Sequence, residues 1–308
     1  MIYRENVPIY NICWLNYCNG GTIKNFYEPE NTNELIDICS SLYKRNIKFD
    51  LIGHTSNIYF TPNYNSQYMI STRKCNFFGE KKNTLECDCG ASVRKISRLM
   101  VSKGIKGYEG LIDLPGTVGA AVYGNAGCYN CSINNLLISL KILLSDGSVR
   151  EMTISDLNLS NRSSALKRGE LNGVIISVIL RKEQGDYESI ETLAKQNHIK
   201  RLNTQPGPRN NLGSVYSSSR WSLLSYFPRV IVFIYSSILK FFIKDERELW
   251  LKKNRFLLQL LFSGDLEPYI YNWNRYMWLD EKSHKLFWKY VKIHSFLFSN
   301  SEFEIEIK

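Results

Sequence analysis

The 308-residue chain is long enough for two folded domains, since a single hydrophobic core usually stops growing at ~250 to 300 residues. Apolar residues make up 44% and charged residues 22% of it, which excludes a disordered or collagen-like chain. The net charge of +10 suits an anionic partner such as a phosphorylated small molecule or a membrane surface. We expect no nucleic-acid partner, because the sequence has no dense Lys/Arg run, RNA-recognition signature or zinc-finger spacing.

Cysteine usage indicates a reducing compartment. All eight cysteines lie in the first 131 residues, and the N-terminal stretch has no continuous apolar signal core. We therefore expect a cytoplasmic protein. CDC at 87–89 and CYNC at 128–131 could together bind one zinc ion. We favour buried apolar thiols and no metal, because no third Cys/His cluster completes such a site.

Helix and strand signals alternate over the first hundred residues. Apolar side chains share one helical face over 34–45, which predicts a helix, and KFDLIGHTSN, 48–57, predicts a buried strand that ends in a turn. Further strands are predicted at QYMIST, 67–72, and NTLECDCGA, 83–91. The periodicity of SVRKISRLMVSKGI, 92–105, predicts a second helix.

The next segment, GYEGLIDLPGTVGAAVYGNAG, residues 107–127, places six glycines around one proline. Glycine tolerates unusual backbone angles and lets a ligand approach the main chain, so a glycine-dense loop can present N–H donors to a phosphate. GHTSN, 53–57, offers a second such turn, with hydroxyl and amide side chains. We predict that the two turns bind one pyrophosphate. The alternative is tight packing alone, and binding is favoured because the glycines recur together with Pro115, Thr117, Asn125 and Ala126.

Downstream signals predict the end of one domain and the start of another. NLLISLKILLSDGSVREMTI, 135–154, is typical of a β-hairpin, and GVIISVILRKE, 173–183, of a strand. A helix is predicted over 187–200. We place the domain boundary after residue 185, which gives a first domain over 1–185 and a second over 186–308.

The C-terminal part is more apolar. Residues 222–243 approach the length of a membrane span, but one proline and two basic residues interrupt them. We favour a buried or interface-seeking helix over a span and keep contact with a membrane surface open. A strand and then a helix over 280–293 follow. EFEIEIK, 302–308, predicts a final strand with one apolar and one acidic face.

Four motifs then resemble one known family. GLIDLPGTVGAAVYGNAG, 110–127, closely resembles the flavin-binding signature of UDP-N-acetylenolpyruvoylglucosamine reductases, also called UDP-N-acetylmuramate dehydrogenases. GHTSN lies where that family has its Gly-x-Gly-Ser-Asn turn, and NRSSALK, 161–167, resembles its Tyr-Arg-Asp-Ser-x-Phe-Lys element. RLNTQP, 201–206, and NLGSVY, 211–216, are similar to its Arg-x-x-x-Gln-Pro and Gly-Ser-Val-Phe.

The resemblance implies an α+β fold of the vanillyl-alcohol-oxidase or PCMH type. An FAD-binding domain made of two α/β subdomains would be followed by a smaller α+β substrate-binding domain that contains the apolar segment. It further implies FAD as cofactor and NADPH as hydride donor, for reduction of UDP-N-acetylglucosamine enolpyruvate to UDP-N-acetylmuramate, a peptidoglycan precursor. The partner is then a UDP-sugar, and the oligomeric state stays open.

The resemblance also implies roles for single residues. It assigns Arg162 to the substrate carboxylate, whose charge grows as hydride is added, and Ser214 to proton donation. Glu302 is matched to the family's C-terminal glutamate, with Glu304 as the alternative. The implied cofactor contacts lie in the two turns and one strand: Gly53, His54, Thr55, Ser56, Asn57, Gly110, Pro115, Gly116, Thr117, Gly119, Ala120, Asn125, Ala126, Gly127 and Val178.

Several positions depart from the family pattern. Thr55 stands at the second glycine of the pyrophosphate turn, NRSSALK lacks the tyrosine and aspartate, and GSVY is followed by SSSRW in place of Lys-Asn-Pro. Two alternatives to the reductase therefore stay open. One is a diverged FAD-dependent oxidoreductase of another nucleotide sugar in surface-glycan synthesis, peripheral at the inner membrane face. The other is a flavin-binding partner protein without turnover.

Overall fold

The computed structural model describes residues 1–221, 226–245, 248–249, 252–253, 256 and 264–308. By contacts the chain divides into two units. The first comprises Met1–Ile12, Gly21–Ser56 and Asn65–Leu202, and the second Cys13–Gly20, Asn57–Tyr64 and Asn203–Lys308. Two short N-terminal segments therefore belong to the second unit, which no sequence signal indicated. The domain boundary at residue 185 stays a prediction.

Helices and strands are mixed along the chain, as the α+β prediction expected. The helices are α1 Thr32–Lys44, α2 Val93–Ser102, α3 Val118–Tyr123, α4 Ile133–Leu136, α5 Ile154–Leu157, α6 Tyr187–Thr204, α7 Tyr226–Leu239 and α8 Glu281–Leu297. The strands are β1 Ile2–Pro8, β2 Thr22–Glu28, β3 Asp50–Ile52, β4 Ile58–Tyr59, β5 Ser66–Ser71, β6 Phe78–Glu80, β7 Thr84–Asp88, β8 Gly127–Cys128, β9 Cys131–Ser132, β10 Leu137–Leu144, β11 Val149–Thr153, β12 Gly173–Arg181, β13 Tyr216–Trp221, β14 Ile270–Asn272, β15 Arg275–Tyr276, β16 Phe298–Phe303 and β17 Glu306–Ile307.

The first unit contains two larger sheets besides the short β8–β9 hairpin. One has the strand order β1-β2-β5-β3, in which β1 and β2 are antiparallel and β5 is parallel to both β2 and β3. The other has the order β11-β10-β12-β7-β6 and is antiparallel throughout. The predicted hairpin at 135–154 is confirmed as β10 and β11, which pair Leu143 with Val149 across the turn.

The helices of the first unit bury the faces that the sequence periodicity indicated. Asn31 caps α1, because its side chain accepts a hydrogen bond from the Glu34 N–H at 3.0 Å. Leu35, Cys39 and Leu42 are the buried residues of this helix. Each buried leucine contributes roughly 1.5 to 3 kcal/mol of transfer free energy, so this face holds α1 against the core.

The two thiols of CDC, Cys87 and Cys89, are buried in the same core, as predicted. Burial, with smaller contributions from Asp88 and Glu86, raises the pKa of the Cys87 thiol to about 12. Both groups therefore stay protonated at neutral pH and pack as small apolar side chains. Cys128 and Cys131, by contrast, are half-buried free thiols that lie opposite each other in the β8–β9 hairpin.

The second unit has an aromatic core. Tyr59, Tyr276, Trp278 and Phe287 are fully buried and in ring contact, with centroids 4.8 to 5.4 Å apart. Helix α8, predicted over 280–293, supplies one side of it. Asp280 caps the start of this helix, because its side chain accepts a hydrogen bond from the backbone N–H of Ser283.

The predicted single strand at 302–308 is wrong. The chain instead forms β16 and β17, which pair with different strands: β16 with β13, and β17 in parallel with β4. Between them the backbone N–H of Glu304 donates a hydrogen bond to the carbonyl of Val215 at 2.8 Å. Ile305 is buried while Phe303 is exposed, so the alternating sequence does not produce one continuous apolar face.

The apolar segment predicted at 222–243 begins outside the described residues, and its described part contains α7. None of the helices in the described ranges is long and apolar enough to cross a membrane.

Candidate functional site

The two predicted glycine turns lie against each other in the first unit. A Cβ atom placed on Gly53 would lie 2.5 Å from Thr117 Oγ1, and one placed on Gly116 would lie 3.6 Å from Ser56 Oγ. Gly116 has a φ of +126°, a backbone conformation that side-chain-bearing residues rarely adopt. The chain therefore needs glycine at position 116 for its backbone angle and at position 53 for the close approach of the two turns.

Thr55 adopts the left-handed conformation, with a φ of +56°, at the position where the family pattern has glycine. A β-branched residue there is strained by roughly 1 to 2 kcal/mol. Its side chain is nearly fully buried, and its hydroxyl donates to the Ile12 carbonyl at 3.2 Å. The turn therefore keeps the glycine-like backbone shape although the residue is a threonine.

Arg73 restrains this turn through hydrogen bonds, and it was not identified from the sequence. Its Nε donates to the Gly53 carbonyl at 2.9 Å, and its Nη2 donates to the Ile12 carbonyl and, at 3.4 Å, to Thr55 Oγ1. The residue comes from the short turn after β5, outside every motif. Only the parallel pairing of β3 with β5 brings it to the Gly53 turn, and no local sequence signal shows that pairing.

Positive charge surrounds the turn. Burial, together with the charges of Arg73 and Lys95, lowers the pKa of His54 below its ordinary value, so its imidazole is neutral at pH 7. Those two cations create a positive potential at the turn. Such an environment suits a diphosphate.

The glycines of the longer motif have different physical roles. A Cβ on Gly110 would lie 2.2 Å from the Cys128 carbonyl oxygen, and one on Gly119 would lie 2.9 Å from the Cys89 Cβ. These two glycines therefore allow the loop and α3 to pack closely against neighbouring backbone. In the part of the chain that the structure describes, only Ser56 Oγ lies within 4 Å of a Cβ on Gly116, so Gly116 is the one of the three that borders open space.

Arg162 lies against the end of the same motif. Its guanidinium donates to the Gly127 carbonyl at 2.7 Å and to the Asn125 carbonyl at 3.4 Å. The Asn125 amide donates to the Ser160 carbonyl at 2.7 Å, while its Oδ1 is buried and has no hydrogen-bond partner among the described residues. A buried acceptor of this kind is costly unless a donor reaches it, so a ligand N–H or O–H would fit there.

A second set of contacts, also missed by sequence reasoning, ties α6 to the motif. His198 Nδ1 lies 2.6 Å from one Asp113 oxygen, and Arg98 donates to the other at 2.8 Å. Burial alone would raise the pKa of Asp113, but the hydrogen bonds from His198 and Arg98 outweigh it and lower that pKa. The Asn197 amide adds a hydrogen bond to the Glu109 carbonyl at 3.2 Å. These contacts fix the loop that leads into Pro115 and Gly116.

The remaining predicted cofactor residues have mixed settings. Val178 is fully buried in β12, where it pairs with Leu140 and Cys87 inside the core. Ala120 is exposed on α3, and the Ala126 N–H donates to the Ala121 carbonyl at 2.8 Å. Their contact with a cofactor stays a prediction.

Ser214 and the two glutamates lie in the second unit. Next to Ser214, the Val215 N–H donates to the Asn274 carbonyl at 3.0 Å, and the Val215 carbonyl accepts from the Glu304 N–H at 2.8 Å. The Glu304 carbonyl in turn accepts from the Asn57 amide at 2.9 Å. Glu302 lies in β16, where its side chain is exposed. The backbone thus places Glu304, rather than Glu302, beside the residue that follows Ser214.

A family model described as an FAD binding domain matches residues 23–153, a range that includes both glycine turns. The UDP-N-acetylenolpyruvoylglucosamine reductase of Caldicellulosiruptor saccharolyticus is 29% identical over 199 residues, 64% of this chain and 64% of that protein. The enzyme of the same name from Streptococcus pyogenes serotype M49 is 28% identical over 214 residues, 69% and 71% of the two chains. The chain is thus similar in sequence to UDP-N-acetylenolpyruvoylglucosamine reductases over 64% to 69% of its length.

A solved structure agrees with this similarity at the level of the fold. The solved structure of UDP-N-acetylenolpyruvylglucosamine reductase from Thermus caldophilus matches with a TM-score of 0.70, 18% identity and 99% coverage of both chains. At that identity the match shows the fold alone. The expected PCMH-type FAD-binding fold within an α+β chain is thereby confirmed. The chain spans 64% and 63% of the length of the two Caldicellulosiruptor relatives that it matches.

Proposed function

We propose that the protein is an FAD-dependent oxidoreductase that reduces UDP-N-acetylglucosamine enolpyruvate to UDP-N-acetylmuramate with NADPH. One observation carries the flavin part of the proposal. The turns at 53–56 and 115–117 meet where the Gly116 backbone borders open space, beside the cations Arg73 and Lys95. Backbone N–H groups and positive charge at such a bend suit a diphosphate bridge.

The residues of the first unit fit FAD. The two turns would hold the diphosphate, and the orphaned Asn125 Oδ1 offers a buried acceptor to a hydroxyl or N–H of the cofactor. FAD, when bound, supplies a two-electron carrier that accepts hydride from a nicotinamide and delivers it to a carbon–carbon double bond.

Arg162 and Ser214 would serve the substrate. The guanidinium of Arg162 can stabilise the carboxylate charge that grows when hydride adds to the neighbouring double bond. The hydroxyl of Ser214 would hold the proton that completes the addition. The contacts of Arg162 with the Asn125 and Gly127 carbonyls would orient its guanidinium for this task.

For the C-terminal glutamate, the backbone contacts favour Glu304 over Glu302. Glu304 is half-buried and hydrogen-bonded to Val215, the residue after Ser214, whereas Glu302 is exposed in β16. A carboxylate that assists proton transfer must reach the reacting groups, so we propose Glu304 for the role. Glu302 stays the competing prediction.

The spectrum of the purified protein tests the proposal. A bound oxidised flavin gives a yellow protein, NADPH should bleach it under anaerobic conditions, and UDP-N-acetylglucosamine enolpyruvate should restore the colour. A colourless protein that takes up no added FAD would contradict the cofactor assignment. Bleaching without recovery by this substrate would leave the flavin in place and reject the substrate.

The residues after Ser214 support a second candidate function. The chain has SSSRW at 217–221 where the family pattern continues Lys-Asn-Pro. Losing a cation and an amide at a substrate-binding position favours a different nucleotide sugar. Recovery of the bleached flavin by another UDP-sugar, but not by the enolpyruvate, would support this alternative.

A further inference from the structure

Helix α7 turns an apolar face to solvent. Its exposed large side chains are Tyr226, Val230, Phe233, Ile234 and Ile238, which recur with the spacing of a single helical face. Of the α7 side chains that the structure describes, only Ser236 is buried. A helix on the surface of a water-soluble domain normally shows the reverse distribution, with apolar residues inside and polar residues outside.

The face continues past the end of the helix. Phe241 and Phe242 are 87% and 79% exposed, and Lys240 and Lys244 are exposed beside them. The surrounding sequence is basic: residues 226–256 contain seven Lys and Arg against three Asp and Glu. Large aromatic side chains flanked by cations are the composition of helices that lie in the interface of an anionic bilayer.

We propose that this face, Tyr226 to Phe242, binds the surface of an anionic lipid bilayer. The apolar side chains would enter the boundary between headgroups and acyl chains, and Lys240 and Lys244 would contact the acidic headgroups. The 14 residues of α7 extend about 21 Å, too short for the ~30 Å hydrocarbon core, so the helix lies in the interface and does not span it.

Charge selects the bilayer over a second copy of this chain. A second copy would bring the same face, and residues 226–244 contain no Asp or Glu that could pair with Lys240 and Lys244. An anionic membrane surface attracts the same lysines. The proposal concerns this face alone and requires neither bound flavin nor turnover.

Sedimentation with lipid vesicles tests the proposal on the full-length protein. Vesicles of phosphatidylcholine with about one third phosphatidylglycerol should carry the protein down at low ionic strength, and pure phosphatidylcholine vesicles should carry far less. Raising the salt to 0.5 M should weaken binding to the anionic vesicles, because screening shortens the reach of the lysine charges.

Matched variants distinguish lipid binding through this face from nonspecific adsorption to vesicles. Phe233→Asp should lower the vesicle partition coefficient about tenfold or more, since one phenyl ring would no longer be buried in lipid. Phe77→Asp is the control, because Phe77 is 69% exposed against 70% for Phe233 but lies in the first unit. Lys240→Glu with Lys244→Glu should lower binding to anionic vesicles about tenfold or more and leave neutral vesicles unaffected.

Three results would overturn the proposal. They are no sedimentation of the wild-type protein with anionic vesicles, equal losses for Phe233→Asp and Phe77→Asp, and a concentration-dependent dimer that Phe233→Asp dissociates. The last would mean that a second copy covers the face. Circular dichroism shows whether each variant is folded, and Phe242→Asp, placed beyond the end of α7, repeats the test if Phe233→Asp unfolds.

Discussion

The pairing of Thr55 with Arg73 predicts a measurable coupling in cofactor binding. Arg73→Met removes three hydrogen bonds from the pyrophosphate turn, to the carbonyls of Gly53 and Ile12 and to Thr55 Oγ1. At about 1 kcal/mol each for a partly buried side chain, the turn loses roughly 3 kcal/mol of restraint. We expect the dissociation constant of FAD to rise between ~10-fold and ~100-fold.

Thr55→Gly should change little by itself. It relieves about 1 to 2 kcal/mol of left-handed strain, but it loses the 3.2 Å hydrogen bond to Ile12 and adds unfolded-state entropy. The three effects nearly cancel, to within about 1 kcal/mol. With glycine at position 55 the turn keeps its shape without the hydrogen bonds from Arg73. Arg73→Met should therefore weaken the free energy of FAD binding by at least ~1 kcal/mol less in the Thr55→Gly background than in the wild type.

Fluorescence titration of the apoprotein with FAD measures the four constants of this double-mutant cycle. Lys74→Met is the control, because it removes the same charge from the same short turn. If Arg73→Met and Thr55→Gly act additively to within ~0.3 kcal/mol, the tethering argument is refuted. Equal weakening by Lys74→Met would show that net charge, and not the hydrogen bonds, matters at Arg73.

Three further predictions concern the open glycine, the proton donor and a buried histidine. Gly116→Val should yield protein without flavin, because it puts a side chain at φ +126° where the cofactor approaches, and the absorbance spectrum checks this. Ser214→Ala should leave reduction by NADPH intact and slow substrate-driven reoxidation at least ~10²-fold in stopped flow, with Glu304→Gln slowing the same step. Burial lowers the pKa of His294 to about 4, so the unfolded chain binds more protons between pH 6.5 and 4, and stability should fall as the pH drops through that window. His294→Phe should flatten this part of the urea-denaturation profile.

Each of these has an outcome that would contradict it. A yellow, fully loaded Gly116→Val protein would show that no ligand meets the backbone there. Equal slowing of both half-reactions would remove Ser214 from proton transfer, and Glu302→Gln, rather than Glu304→Gln, slowing reoxidation would restore the competing glutamate. A slope that survives in His294→Phe would place the titrating group elsewhere.

Local patterns predicted most of the first unit because local contacts decide its elements. The apolar face of α1, the SDGS turn between β10 and β11 and the β-branched run of β12 each specify their own structure within a few residues. The prediction of the final strand was wrong because a long-range contact, and not a local one, decides its structure. Its alternation was correct, but the long-range bond from Glu304 to Val215 divides it, and no local signal encodes a partner about 90 residues away.

The candidate site shows the same limit more sharply. Spacing located both glycine turns, since an unusual backbone angle at Gly116 demands glycine wherever the chain folds this way. It gave no sign of Arg73, whose guanidinium reaches Gly53 only through the pairing of β3 with β5. It likewise missed Asp113 and His198, which lie 85 positions apart and meet at 2.6 Å.

Thr55 and Arg73 together suggest how a glycine motif can lose a glycine and still keep its shape. A substitution at a left-handed position is tolerated only if other contacts offset its strain, and here a hydroxyl and a guanidinium supply them. The hydroxyl exists only because the residue is threonine, so the change that creates the strain also supplies one of the two bonds that hold it. Alanine at position 55 would bring most of the same strain without that bond, and it should therefore bind FAD more weakly than either threonine or glycine.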